Sequence, residues 1–325
     1  MKPVNRYLGL FIFLLLMAGC QQEQKIPKAI FILLDGIPAD VLENTDTPFL
    51  DEISDRGGYT RAYVGGEKGG ESESPTISAV GYNSLLTGTW ANKHNVWGNS
   101  IKAPNYDYWS IFRTARNHDP NLKTAIFSTW LDNRTKLVGE GLEATSNFKF
   151  DYAFDGFEHD TVRFPHDEAR DYIRNIDELV ANETANYISI NAPDLSWVYL
   201  EYTDDMGHRF GDSPEMTEAV KLADDQVGRI WKAIQKREQE HDENWLIVIT
   251  TDHGRTASNG KGHGGQSERE RTTWIVTNEN ELTPAFHQNP GIVDIMPSIS
   301  DFMGIEIPEN IKMNLDGKSF IKTIK

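Results

Sequence analysis

Three aspartates and three histidines stand at or just past the ends of apolar runs, where a sheet protein places its chemistry. The clearest run is Leu246-Ile247-Val248-Ile249-Thr250-Thr251-Asp252-His253-Gly254. Four apolar residues, three of them β-branched, read as a buried strand, and a carboxylate beside an imidazole follows where the strand gives way to a loop. A second run, Ala29 to Leu34, ends in Asp35-Gly36, and a third, Ser196 to Tyr202, is followed by Asp204 and His208. His263 lies in the glycine-flanked loop Gly260 to Gly265. Carboxylate and imidazole are good ligands for a borderline divalent metal, and one Zn²⁺ takes about four of them. Six therefore suit a pair of cations with a hydroxyl bridging in. Two cations about 4 Å apart form a clamp for in-line phosphoryl displacement, and one of them would activate the hydroxyl. That hydroxyl is Thr76 or Ser78, at the start of a stretch whose Val80, Leu85 and Leu86 suit a short helix ended by Gly88. The free N–H groups and positive dipole end of such a helix favour an anion.

The elements that must position these groups alternate between strand and helix. Further strands are read at Thr124 to Phe127 and Trp274 to Val276. Helices are read from Thr47-Pro48, over Asp167 to Ala185, over Pro214 to Gln235 and from Ile292. This pattern predicts an α/β fold: a mainly parallel central sheet with helices on both faces and its ligands outside the carboxyl ends of the strands. Residues 135–193 hold many aromatics and acids but few long apolar runs, and are expected to be a cap or insertion outside the sheet. Ala91 to Asn99 reads as a loop. The remaining histidines, His94, His118, His159, His166, His241 and His287, read as surface or turn residues.

The chain has 325 residues and a formal net charge of -17. An acidic surface repels polyanions, so binding to a nucleic-acid duplex is not expected, whereas a small phosphoester held by cations is compatible with it. Lys2 and Arg6 precede an apolar run from Leu8 to Met17, too short to span a bilayer comfortably, which reads as a secretory signal. It ends Leu16-Met17-Ala18-Gly19-Cys20, like a bacterial lipobox, and Cys20 is the only cysteine. The expected organisation is a signal over residues 1–20, a tether over 21–28 and a catalytic domain over 29–325, lipid-anchored through Cys20 in the cell envelope, periplasmic or at the cell surface. Disulfides and thiolate metal sites are excluded.

Together these elements resemble the alkaline phosphatase superfamily, most closely its type I phosphodiesterase/nucleotide pyrophosphatase branch, from about Ile30 to the C-terminus. The resemblance is carried by Asp35-Gly36 after a hydrophobic strand, Leu85-Leu86-Thr87-Gly88, the Asp-x-x-Gly-His element from Asp204 to His208, Asp252-His253-Gly254 and His263. It implies an alkaline phosphatase-like fold and selects Ser78 over Thr76 as nucleophile. It implies two metal sites, one held by Asp35, Asp252 and His253 with Ser78, the other by Asp204, His208 and His263, each filled most readily by Zn²⁺. Asn99 falls where some phosphatases of the superfamily place an Asn that hydrogen-bonds a phosphate oxygen. Monoesterases commonly add a Lys or Arg near the position of Trp130 and Arg134; Trp130 could stack on a nucleobase and Arg134 could grip a monoester. The resemblance thus implies a metal-dependent phosphoester hydrolase acting through a covalent phospho-Ser on a small phosphoester or nucleotide-like substrate. The alternatives are a phosphomonoesterase, a sulfatase and a non-catalytic ligand-binding lipoprotein. Ser78-Ala79-Val80-Gly81 lacks the sulfatase modification motif, and none of the six ligands a degenerate binder would lose is missing.

Overall fold

Apolar alternation on both faces of the strands produces a sandwich of helix, sheet and helix. The computed structural model describes residues 25–322. Its seven strands are β1 (Ile26–Leu34), β2 (Gly58–Tyr63), β3 (Thr124–Ser128), β4 (Tyr152–Phe154), β5 (Leu195–Leu200), β6 (Glu243–Thr250) and β7 (Thr272–Thr277), in the order β2-β7-β6-β1-β5-β3-β4. From β6 to β4 all neighbours pair in parallel; β7 runs antiparallel to both β6 and β2. The fold is the expected mainly parallel α/β sheet with helices on both faces.

Strand β1 turns Ala29, Phe31 and Leu33 to one face and Ile30, Ile32 and Leu34 to the other, all fully buried. Strands buried on both sides read as unbroken apolar runs, which is why this segment shows no polar alternation. The first face is covered by α2 (Ser78–Thr87), α3 (Ile111–His118) and α7 (Ile295–Met303). The second is covered by α1 (Pro48–Arg56), α4 (Asp171–Asn191) and α6 (Pro214–Glu240). A further helix, α5 (Tyr202–Phe210), follows β5 at the carboxyl edge of the sheet. Register matters most there. Leu34 pairs with Leu200 of β5 and Leu33 with Thr250 of β6, so the chains leaving β1, β5 and β6 emerge side by side.

Two boundaries differ from those expected. Residues 26–28, read above as tether, begin β1, and Lys28 is buried because its Nζ donates to Asp194 Oδ1 at 2.6 Å and to the Ala192 carbonyl at 2.7 Å. The segment 135–193 is not an insertion outside the sheet. Tyr152–Phe154 pairs in parallel with β3 as an edge strand, and α4 buries Ile173, Ile176, Val180 and Ile188 on the second face. A three-residue edge strand is too short for its alternation to show, and α4 mixes its apolar stripe with Asp, Glu and Asn. The signal-like residues 1–20, the lipobox Cys20 and residues 21–24 lie outside the described residues. Among the described residues no helix is long and apolar enough to cross a membrane.

Candidate metal centre

The carboxylates of three adjacent strands converge. Asp35 follows β1, Asp252 lies just past β6, and Asp204 sits in the first turn of α5 after β5. Asp204 and His208, read from the sequence only as following the strand, lie on one face of α5, one turn apart, with His208 Nε2 at 3.2 Å from Asp204 Oδ2.

Asp35 is buried at 2% exposure, and one of its oxygens is fixed: Tyr199 donates its hydroxyl to Oδ2 at 2.6 Å, and Tyr82 donates to the same oxygen. Its other oxygen, Oδ1, has no hydrogen-bond partner. Asp252 repeats the pattern. Its Oδ1 accepts the Gly36 N–H at 3.1 Å, and its buried Oδ2 has no partner. His253, fully buried, places its Nδ1 at 2.9 Å from the Gly254 carbonyl, so Nδ1 carries the proton and Nε2 the lone pair, a tautomer assigned from its neighbours. Nε2 then faces Asp252 Oδ2 at 3.3 Å, Ser78 Oγ at 3.4 Å, Asp35 Oδ1 at 3.5 Å and Asp204 Oδ1 at 3.9 Å. A lone pair facing two buried carboxylate oxygens that lack donors, Asp35 Oδ1 and Asp252 Oδ2, is an arrangement a cation relieves, and the donor set suits a borderline divalent ion.

A second group adjoins the first. Asp204, His253 and His263 bring ligand atoms within 4.8 Å of one another, as do Asp35, Asp252 and His253. His253 therefore stands between the two groups, its ring stacked on that of His263 with centroids 3.7 Å apart. His263 presents Nδ1 to the Thr76 carbonyl at 2.9 Å and leaves Nε2 at 3.1 Å from His208 Nε2. Hydrogen bonds of this kind set the tautomer and aim of a ligating imidazole.

Ser78 opens α2 and is 5% exposed. Its neighbour Thr76 is otherwise engaged: its Oγ1 donates to the Gly265 carbonyl and accepts the Gly264 N–H, both at 2.9 Å, tying down the His263 loop. At Gly81 a Cβ would lie 2.8 Å from the Asp252 carbonyl, so the bare backbone lets α2 lie against the end of β6. Asn99 is exposed, and its Oδ1 accepts the Ala79 N–H at 3.0 Å, which sets its amide against the first turn of α2, beside Ser78. Trp130 and Arg134 stay out of the ligand cluster. Trp130 is half-buried and meets Tyr82 edge-on at 6.2 Å between centroids. Arg134 is taken by Asp155, at 2.6 and 2.8 Å, and by Glu140.

Charge in this pocket is unbalanced. Burial, and then the nearby charges of Asp252 and Asp204, hold the Asp35 carboxyl well above the carboxylate range. Burial likewise pushes Asp252 up to about 7. Asp204 goes the other way: burial pushes it up, but the His208 hydrogen bond and the charges of Arg255 and His253 outweigh that. Burial, then His263, keeps His253 neutral and able to ligate. Three groups at the site escaped the sequence reading. Tyr82 is one turn after Ser78 on the same helix face, Tyr199 lies in β5, and Arg255 directly follows Asp252-His253-Gly254. The histidine reading also needs one correction. His94 is fully buried, folded in by the turn Ala91–His94, with Nε2 at 3.0 Å from Ser84 Oγ and Nδ1 accepting the Val96 N–H, and burial pushes it down to about 3. The other five are exposed.

Compared with known families, residues 29–298 match the type I phosphodiesterase / nucleotide pyrophosphatase family. The chain belongs to this family. Among curated relatives, the venom phosphodiesterase CdcPDE of Crotalus durissus collilineatus is 22% identical over 254 residues, covering 73% of this chain and 27% of the relative. The bis(5'-adenosyl)-triphosphatase ENPP4 of Homo sapiens is 22% identical over 244 residues, covering 71% of this chain and 48% of the relative. The chain thus spans about a quarter to a half of the length of these relatives. A crystal structure of inactive murine ectonucleotide pyrophosphatase/phosphodiesterase 5 in complex with AMP shares the fold, with a TM-score of 0.61 at 13% identity over 87% of this chain and 96% of that one.

The raised carboxylates make a cation and protons compete for the same oxygens. A carboxyl at about 7 when folded and about 4 when unfolded favours the metal-free fold below pH 4 and loses that advantage as pH rises through 7. We expect the rise in Tm on adding Zn²⁺ to the chelated protein to be larger at pH 8 than at pH 6, read by differential scanning fluorimetry. An equal rise at both would contradict the assignment of these carboxylates as ligands.

Proposed function

We propose that the chain is a metal-dependent hydrolase of phosphoester or phosphoanhydride bonds, of the phosphodiesterase/nucleotide pyrophosphatase type, with Ser78 as nucleophile. The observation that carries this reading is Ser78 Oγ at 3.4 Å from the bare Nε2 of His253, beside carboxylate oxygens that no protein donor satisfies. Asp35, Asp252 and His253 with Ser78 would hold one divalent cation, and Asp204, His208 and His263 the other, two Zn²⁺ being the best match to these donors. Such ions would lower the pKa of the serine hydroxyl and neutralise charge on the phosphoryl oxygens.

The protein's own groups do the rest. Ser78 Oγ attacks phosphorus in line, and the bond to the leaving oxygen breaks as the Oγ–P bond forms. Water then cleaves the phospho-Ser and restores the hydroxyl. The N–H groups of the first turn of α2 stabilise the phosphoryl oxygens, and the Asn99 amide, held by Ala79, donates Nδ2 to one of them. Tyr82 and Tyr199 keep Asp35 turned with Oδ1 toward His253. Substrate enters from the side of His208, whose side chain is 47% exposed, because the Asp252 and His253 side is closed.

A diester fits this site better than a monoester. The second negative charge of a monoester calls for a free cationic side chain. Arg134 is already held by two carboxylates. A single negative charge needs no such partner.

Hydrolysis of bis-p-nitrophenyl phosphate should exceed that of p-nitrophenyl phosphate and cease with chelator. Ser78→Ala should lower turnover on the order of 10³-fold or more while metal content is kept. Unchanged turnover in that variant would refute the role of Ser78, and inactivity of the metal-loaded wild type on both esters would favour a binding protein. The leader and lipobox support a lipid anchor on Cys20 in the cell envelope. Cys20→Ala should move the protein from the membrane to the soluble fraction, and an unchanged membrane share would remove the anchor.

A further inference from the structure

Among the described residues, Arg255 brings a buried positive charge against the cluster, through Asp204, and has no part in the reading above. It is 1% exposed and lies between three segments that carry ligands. Its Nε donates to the Gly36 carbonyl at 2.9 Å, next to Asp35. Its Nη2 donates to the Asp204 carbonyl at 2.7 Å and also to Asp204 Oδ1. Its Nη1 donates to the Lys261 carbonyl at 3.2 Å, two residues before His263. We infer that Arg255 is a positioning residue for the second cation set: it locks Asp204 and the His263 loop in register with the end of β1, so that this half of the site stands assembled before a cation arrives. The inference rests on the metal-dependent reading above.

The shape of the group makes the case. A guanidinium is a planar fork with donors in several directions, and here those donors serve the chain after β1, the first turn of α5 and the loop leading to His263 at once. An ammonium concentrates its donors on one atom and cannot span the three. The chain also makes room for the fork. A Cβ at Gly207 would lie 2.1 Å from Arg255 Cζ, so the bare backbone of α5 lies directly against the guanidinium, between the turns bearing Asp204 and His208. A buried guanidinium is costly unless its charge and donors are met, and Asp204 together with these carbonyls meets them. The division of labour is visible in the carboxylates: Asp204 has a permanent partner, whereas Asp35 Oδ1 and Asp252 Oδ2 have none. Arg255 thus supports one ligand set and leaves the other to an incoming ion.

The test is Zn²⁺ titration of the chelated full chain, wild type against Arg255→Lys and Arg255→Met, by calorimetry with a competing chelator. Circular dichroism verifies the fold, and the Lys variant, which keeps the charge, decides if the Met variant does not fold. Wild type should bind two ions. Both variants should hold one ion with affinity within about threefold of wild type and lose about 10- to 100-fold for the other, the usual effect of removing a group that orients a ligand. Two ions bound with unchanged affinity by Arg255→Lys would show that charge alone suffices and would overturn the positioning role, leaving the metal reading intact. A wild-type chain that binds no ion would overturn both.

Discussion

Two buried carboxylate oxygens without a donor set the terms for the rest of the structure. Asp35 Oδ1 and Asp252 Oδ2 are shut away from water at the ends of neighbouring strands, with an imidazole lone pair between them. An ionised carboxylate in that position costs several kcal/mol unless it meets a positive charge. The sheet offers no escape, because the parallel register of β1 with β6 fixes where both chains emerge. Burial instead raises both carboxyls, so that they hold protons which a cation must displace. Whatever neutralises those oxygens also stabilises the fold.

Around this pair the protein grades its support from inside to outside. Deepest are the phenols of Tyr82 and Tyr199, which sit in the hydrophobic layer on the first face of the sheet and use their polar ends to aim Asp35. Next come Asp252, His253 and Ser78, all buried. Outermost are His208 and Asn99, open to solvent. A doubly covered α/β sheet makes such grading natural, since its faces are sealed by helices and its carboxyl edge is the remaining place for a crevice. The family match over residues 29–298 places this edge in a lineage of phosphodiesterases and pyrophosphatases.

Much of this could be read before the structure, and what could not has physical reasons. Asp35 and Asp252-His253 were legible because the first directly follows an unbroken apolar run and the second lies two threonines past one, the mark of a strand buried on both faces. Asp204 and His208 were legible as a pair, but their helix was not, because the preceding strand's apolar character runs on into Tyr202. The edges of the sheet were the weakest part. Strand β2 mixes Arg61 with tyrosines, and β4 is three residues long, so neither shows an apolar run. Tyr82 and Tyr199 look like core aromatics in sequence, and only the hydroxyl at the far end of each ring separates them from phenylalanine. Arg255 was hidden by composition: a guanidinium beside a loop reads as solvated, and its burial depends on partners far away in the chain.

The central claim is that the unsatisfied carboxylates exist to hold cations. The most direct measurement is anomalous X-ray scattering at the zinc edge from crystals grown with Zn²⁺. The account predicts two peaks about 4 Å apart, one between Asp35, Asp252 and His253 and one between Asp204, His208 and His263. Absence of density between Asp35 and Asp252, or zinc bound only elsewhere on the chain, would contradict it.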